Sequence, residues 1–457
     1  MTDLVEMDSE TARIRAALVN SGRCSFAEAD RRLATSALSL SLADEAADTP
    51  AGQAAFLTAV VTATRCFGDV YVRGRLDRPL LLPLHLAMGS LTLAQAGATL
   101  GARPATEQER GRSVYVGPCA DAASESIQAY WNGWTAGVGP ARTPISIGRS
   151  DCVLAGVAAG ALAVGQAFLA QQGDPRAGKA HREVSLWFPH LSQNSAADPG
   201  PAQEHCSLPL AFWLIGLGNL GQAYVWSLSM LPYPNADDVL LFLQDDDLVR
   251  KENWGTSVLV RRSRYGALKT RIAEEWATAR RFRARRIDRR LDEHLRRTPL
   301  EPAIALAGLD RMPPRRLLGL PGFEYIIDAG LGATAADYQK VRVNVFDVNG
   351  DPAKHFEGVE DREPQSVEQL MQLEAYQELT RITGDRCGAA TLAGHSVAVP
   401  FVSAFVGAVA VAQAVRIATG QAPHSSLVGD LADVRSVRAT LGPATNRLSI
   451  STVQAAS

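Results

Sequence analysis

The stretch Ala211-Phe-Trp-Leu-Ile-Gly216-Leu-Gly218-Asn219-Leu-Gly221 decides how the chain is read. An apolar run ends in G-x-G-x-x-G, which predicts a buried strand, a tight turn and a helix start. Gly216 and Gly218 let the backbone turn and approach a ligand with no Cβ in the way. Gly221 lets the helix pack closely on the strand. The amides at the helix start then face a phosphate, aided by the helix dipole. Residues 223–230 are mostly apolar and continue a buried helix. Residues 239–243 (Val-Leu-Leu-Phe-Leu) form the second strand, and Asp245, Asp246 and Asp247 follow at its end, placed to hydrogen-bond a ribose. The unit reads as βαβ within an α/β fold. A glycine-rich turn without a ligand is the competing reading. The strand before, the helix after and the acids beyond weigh against it.

The chain has 457 residues, too many for one ordinary core, so more than one domain is expected. Lys and Arg number 46 against 48 Asp and Glu, a net charge of −2, which marks no nucleic-acid or membrane-surface binder. Cys24, Cys66, Cys119, Cys152, Cys206 and Cys387 form no C-x-x-C pair. That argues against a zinc ribbon and against a disulfide framework, and suits a reducing cytoplasm. Asp3, Glu6, Asp8 and Glu10 stand where a signal peptide would need basic and apolar residues. Apolar stretches at 153–170 and 397–415 are rich in small residues and read as buried helices rather than membrane spans.

Residues 1–50 look helical, with a break at Asp48-Thr-Pro50, and 53–64 continue as a small-residue helix. Residues 70–73 and 80–84 look like strands. Gly89, Gly97 and Gly101 lack the phosphate-loop spacing, so this half holds no glycine loop of that kind. A linker is expected at 191–206, between a domain at 1–190 and one at 207–457. Residues 160–167 (GALAVGQA) line up with 407–414 (GAVAVAQA), and at the same offset Gly173 falls opposite Gly420. Two helices with matching seams and stops suggest duplicated halves, with chance similarity between Ala/Val/Gly helices as the competitor. The arginine-rich stretch 261–297 has a long helical pattern with acids at pairing intervals. It reads as a solvated face before it reads as a docking surface. Residues 304–310 form a strand ending in Asp310; 326–330 and 341–346 are further strands. Residues 366–381 are helix-prone, 385–399 form a loop carrying Cys387, and short strands follow from about 426.

Taken in order, Gly216-Leu-Gly218-Asn219-Leu-Gly221, Asp245-Asp-Asp247, Asn253, Lys269, Asp310, Cys387 and the helix from Pro400 resemble the ubiquitin-activating E1 and ThiF/MoeB adenylyltransferase family. The match runs over roughly 210–420, and the repeat extends it to the N-terminal half. The resemblance implies a Rossmann-like adenylation fold with two related lobes forming a pseudo-dimer, the N-terminal lobe degenerate. It implies ATP and Mg²⁺ as cofactors. Gly216, Gly218, Asn219, Gly221, Asp245, Asp247, Asn253 and Lys269 would bind the nucleotide, and Asp310 the metal. A helix N-cap is the other reading of Asp310. Cys387, with Arg386 beside it, would be the nucleophile that forms a thioester.

The family arginine that follows the asparagine falls on Thr256 here. Arg261, Arg262 or the opposite lobe would have to supply that charge, and Arg13 or Arg15 of the first helix are candidates to reach the site. The expected partners are a ubiquitin-like protein, entering by its C-terminal tail, and an E2-like protein; a homodimer stays open. The layout is similar to E1-like components of bacterial ubiquitin-like conjugation operons linked to antiphage defence. Three alternatives stand beside it: a ThiF/MoeB-type activator of a sulfur carrier, an NAD-dependent oxidoreductase and a non-catalytic scaffold.

Overall fold

The computed structural model describes residues 9–20, 24–84, 91–106, 111–119, 122–123, 125–148, 151–191, 198–332, 337–359, 364–394, 397–443 and 450–456. Asp3, Glu6, Asp8, Gly89 and positions 192–197 of the expected linker lie outside them. The N-terminal half runs α1 (Ala12–Asn20), α2 (Phe26–Thr35), β1 (Ala37–Leu42), α3 (Asp44–Ala47), α4 (Pro50–Cys66), β2 (Asp69–Gly74), α5 (Leu93–Thr99) and β3 (Arg103–Pro104). It closes with β4 (Arg112–Val116), β5 (Ile127–Asn132), β6 (Thr135–Pro140), α6 (Val153–Gln171) and β7 (Arg182–Ser185).

The C-terminal half opens with β8 (Ser207–Pro209), β9 (Ala211–Ile215), α7 (Asn219–Met230), β10 (Leu240–Gln244), α8 (Lys269–Ala279), β11 (Arg283–Ile287) and β12 (Ile304–Ala307). Next come α9 (Met312–Arg316), β13 (Tyr325–Leu331), β14 (Lys340–Phe346) and α10 (Pro352–His355). Helices α11 (Pro364–Met371), α12 (Glu374–Thr383), α13 (Arg386–Gly394) and α14 (Pro400–Thr419) precede β15 (His424–Asp430), β16 (Asp433–Leu441) and β17 (Thr452–Gln454).

The two large sheets share one topology. The first has the order β3-β2-β1-β4-β5-β6-β7, the second β11-β10-β9-β12-β13-β14-β15-β16. In each, five strands pair in parallel and the next two add antiparallel. Helices α4, α6, α7 and α14 pack together between the halves. That position explains their composition. A helix covered on all sides is apolar all round, and small residues let backbones approach. A Cβ on Gly160 would lie 2.1 Å from Ala55 O, and one on Gly407 would lie 2.8 Å from Ala223 O. Helices α6 and α14 are long and apolar enough to cross a membrane, yet 94% and 100% of their apolar windows are buried inside the fold.

The duplication extends to single hydrogen bonds. Gln166 Oε1 on α6 accepts from Gly178 N at 3.0 Å, and Gln413 Oε1 on α14 accepts from His424 N at 2.8 Å. Gln53 Oε1 on α4 accepts from Leu81 N, and Gln222 Oε1 on α7 accepts from Leu259 N. Gly173 and Gly420, matched in the repeat, both follow their helices at φ near +80°.

Several sequence expectations need correction. Residues 1–50 are not all helical: β1 is an interior strand of the first sheet, between β2 and β4. Its Leu38, Leu40 and Leu42 are buried at a spacing of two, the strand period. Residues 80–84 form no strand; the segment is a loop held by Gln53. The arginine-rich stretch is not one helix. Helix α8 ends at Ala279, the chain turns through Arg281 at φ 67°, and β11 forms the sheet edge. Its arginines meet acids in their neighbourhood: Arg271 with Glu275, Arg281 with Asp237, Arg285 with Glu301, Arg286 with Glu274 and Arg290 with Asp246. The helix expected at 366–381 is split into α11 and α12. Cys387 lies on α13, not in a loop.

Candidate active site

The glycine loop joins β9 to α7. Gly216 has φ +82°, a conformation that side chains rarely adopt, and a Cβ there would sit 2.9 Å from Gly308 O. A Cβ on Gly221 would fall 2.1 Å from Gly216 O, so no side chain fits. Around Gly218 no atom lies within 4 Å of such a Cβ. It is the N-cap of α7 and brings no capping side chain, which leaves open space at the helix start. Asn219 opens the helix and ties it to α14, its Nδ2 donating to Ser403 Oγ at 2.8 Å.

Asp245 latches this loop. Leu217 N donates to its Oδ2 at 2.6 Å, and Asp247 N donates to its Oδ1 at 2.8 Å. Burial raises its carboxyl above the usual range, against the pull of Lys269. Asp247 is more open. Burial alone would raise it, but the Lys269 hydrogen bond and charge outweigh that and hold it below its ordinary value. Lys269 Nζ lies 2.8 Å from Asp247 Oδ2. Asn253 Oδ1 accepts from Arg250 N and closes the turn that carries Glu252.

Asp310 is exposed beyond the end of β12. Three successive residues before it are pinned. Tyr224 Oη donates to Ala307 O at 2.7 Å, Gly308 N to Ile215 O at 2.9 Å, and Arg315 to Leu309 O. The N-cap of α9 is Arg311, so Asp310 does not cap that helix. From the other half, Arg13 on α1 pairs with Glu252 at 3.5 Å and feels the charge of Asp310; burial lowers its pKa and both acids oppose that. Arg15 points elsewhere and pairs with Asp30 at 3.2 Å. Arg261 and Arg262 stack on Trp276 and Trp254, and Arg262 is also held by Glu10. Thr256 is buried, its hydroxyl donating to Asn253 O.

The structure thus joins the glycine loop to Asp245, Asp247 to Lys269, and Arg13 to Glu252. Cys387 is exposed on α13. The segment that carries it docks on the N-terminal helices through α12, where Tyr376 Oη donates to Asn20 Oδ1 at 2.7 Å and stacks edge-on against Phe26. Sequence reasoning missed Arg65. It reaches from α4 into the second half, Nη2 donating to Val260 O at 3.0 Å and its guanidinium 3.2 Å from the centre of the Trp254 ring. Burial pushes it down to about 9, and the ring face offsets part of that cost. Gln222 was missed too. It donates to Leu217 O and accepts from Leu259 N, bracing the glycine loop.

A doubled, mostly parallel sheet with a glycine loop at one strand end and acids at the next defines an α/β protein of the ThiF/E1 adenylation fold. Residues 37–186 match the model of the BilD N-terminal domain, and residues 208–421 that of the BilD C-terminal domain. The bacterial E1-like protein BilD of Collimonas sp. (strain OK412) is 29% identical over 426 residues, 92% of this chain and 91% of its own. The chain belongs to this E1-like family. Among solved structures it is similar to PaaA, at 15% identity and a TM-score of 0.33 over 50% of this chain and 72% of that one. E. coli MccB with ATP gives 11% identity and a TM-score of 0.34 over 58% and 76%.

Proposed function

We propose that this protein uses ATP to activate the C-terminal carboxylate of a ubiquitin-like protein, takes the acyl group onto Cys387 and passes it to an E2-like cysteine. The carboxylate oxygen attacks the α-phosphorus, a new P–O bond forms, and the bond to pyrophosphate breaks. The Cys387 thiolate then attacks the acyl carbon; the C–S bond forms and AMP leaves with the electron pair of the C–O bond.

The open helix start at Gly218 suits phosphates, and the residues around it fit a nucleotide. In this reading Asp245 and Asp247 would hold the ribose and Lys269 would meet phosphate charge. Asp310 and Asp247 are exposed carboxylates, the hard oxygen ligands that Mg²⁺ prefers. When bound, the metal would neutralise charge on the phosphates. Lys269 is tied to Asp247 until a phosphate competes for it.

The observation that carries this reading is Arg13. It comes from the opposite half, pairs with Glu252 and feels the charge of Asp310, so it brings a cation to a site where Thr256 stands in the family arginine's place. The N-terminal half has its own counterpart of the glycine loop. It keeps Gly52, whose Cβ would meet Ala46 O at 2.0 Å, as Gly221 meets Gly216 O. Helix α3, with Asp44 and Glu45, occupies the place of the first two glycines. Acids there repel phosphate, so we assign one nucleotide site to the chain. ATP–pyrophosphate exchange with a ubiquitin-like carrier tests the reading. We expect exchange that requires Mg²⁺ and is lost in Asp310→Ala; exchange that persists in Asp310→Ala overturns the metal assignment.

A further inference from the structure

We propose that Arg315, itself anchored by the buried carboxylate of Asp328, is a positioning residue that fixes Asp310 for its divalent metal. The inference rests on the reading of Asp310 as a metal ligand. Arg315 sits in α9, five positions beyond Asp310 in sequence. Its Nε and Nη2 both donate to Leu309 O, at 3.1 and 2.6 Å. Nη2 also donates to Ala329 O at 2.9 Å, and Nη1 lies 3.2 Å from Asp328 Oδ2. The side chains are 7% and 0% exposed. One guanidinium thus ties the carbonyl just before Asp310 to strand β13.

The fork leaves no room for a side chain at residue 330. A Cβ on Gly330 would come within 2.8 Å of Arg315 Nη1. A buried ion pair is weak evidence for stability, because an apolar pair of similar volume often does as well. An apolar pair cannot hold two carbonyls in register, and this pair does. With Ala307 O held by Tyr224 and Gly308 N by Ile215 O, the backbone entering Asp310 is fixed at three successive residues. A planar fork matches this task, whereas an ammonium offers single bonds from a flexible stem. Arg315→Lys therefore keeps the charge opposite Asp328 and loses the shared grip on the two carbonyls.

Manganese titration followed by electron paramagnetic resonance, on the full chain with a non-hydrolysable ATP analogue, reads the metal without turnover. Analogue affinity in EDTA and the melting temperature are measured alongside. We expect Arg315→Lys to weaken Mn²⁺ binding by about tenfold or more, the usual effect of losing an outer-shell partner, with analogue affinity in EDTA unchanged. Asp328→Asn should act in the same direction. Mn²⁺ affinity within twofold of the wild type in Arg315→Lys overturns the proposal, even if the melting temperature falls. So does equal loss of the analogue in EDTA, or a wild type that binds no Mn²⁺. Absence of pyrophosphate exchange in a wild type that does bind Mn²⁺ would instead defeat the adenylation reading and leave the positioning role standing.

Discussion

Gly218 and Gly221 face opposite surroundings within one loop, open space at the first and close packing at the second. At Gly221 a Cβ would fall 2.1 Å from a backbone oxygen, so Gly221→Ala forces the β9–α7 contact apart. We expect a loss of ~1–3 kcal/mol or more, the usual cost of overpacking, read by denaturant unfolding. Gly218 has φ −68° and open space around it. Gly218→Ala should fold with normal stability and bind ATP more weakly, checked by calorimetry. Normal ATP affinity in Gly218→Ala would place the phosphates elsewhere. The loop was legible in the sequence because its glycine requirements are local. Arg315 and Asp328 were not, since their pairing depends on β12 and β13 lying side by side. An acid in the apolar run of 325–331 was the available signal, because a buried carboxylate calls for a cation.

At the scale of elements, α6 packs closely on α4 and α14 on α7, and α6 and α14 then meet between the halves. Gly160→Ala places a methyl 2.1 Å from Ala55 O, and Gly407→Ala places one 2.8 Å from Ala223 O. Both should lower the melting temperature, Gly160→Ala by more, and equal melting of the two variants with the wild type would contradict the packing account. The repeat that joins these helices could be read from the sequence since both bear the same seam of small residues. Strand β1 was overlooked. Its Ala-Leu-Ser-Leu-Ser-Leu alternation has the strand period, but it follows two helices and its composition favours helix over strand. Its place between β2 and β4 comes from long-range pairing. The arginine stretch misled for the same reason: the i,i+4 pattern was present, but several of the acids that meet its arginines lie far along the chain. Cys387 was legible as an exposed residue with polar flanks; its helix was not.

Across the whole molecule, contacts between the halves hold the site together. Arg13, Arg65 and Glu10 all reach from the N-terminal half to the segment around Glu252, Trp254 and Arg262. A second clasp is pH-sensitive. His190, between β7 and β8, approaches His424 of β15, Nδ1 to Nε2 at 2.9 Å, and His424 Nδ1 faces Gln413 Oε1 at 3.2 Å. The amide oxygen only accepts, so His424 Nδ1 carries the proton and Nε2 accepts from His190. Burial, then Arg416 and His190, push His424 down to about 3. A base whose pKa is depressed on folding contributes stability above its unfolded value near 6.5, and that stability is lost as pH falls towards 3. Unfolding measured across this window should show the loss, and His424→Gln should flatten it. An unchanged slope in the variant would assign the acid sensitivity to other groups.

The central claim is that a nucleotide cleft shared by both halves serves the thiol on α13. Intact-mass analysis of the full chain with ATP, Mg²⁺ and a ubiquitin-like carrier tests it most directly. The wild type should gain a carrier adduct that a thiol reductant removes. Cys387→Ala should lose the adduct while retaining pyrophosphate exchange. An adduct that survives in Cys387→Ala, or exchange that vanishes with the thiol, contradicts the account.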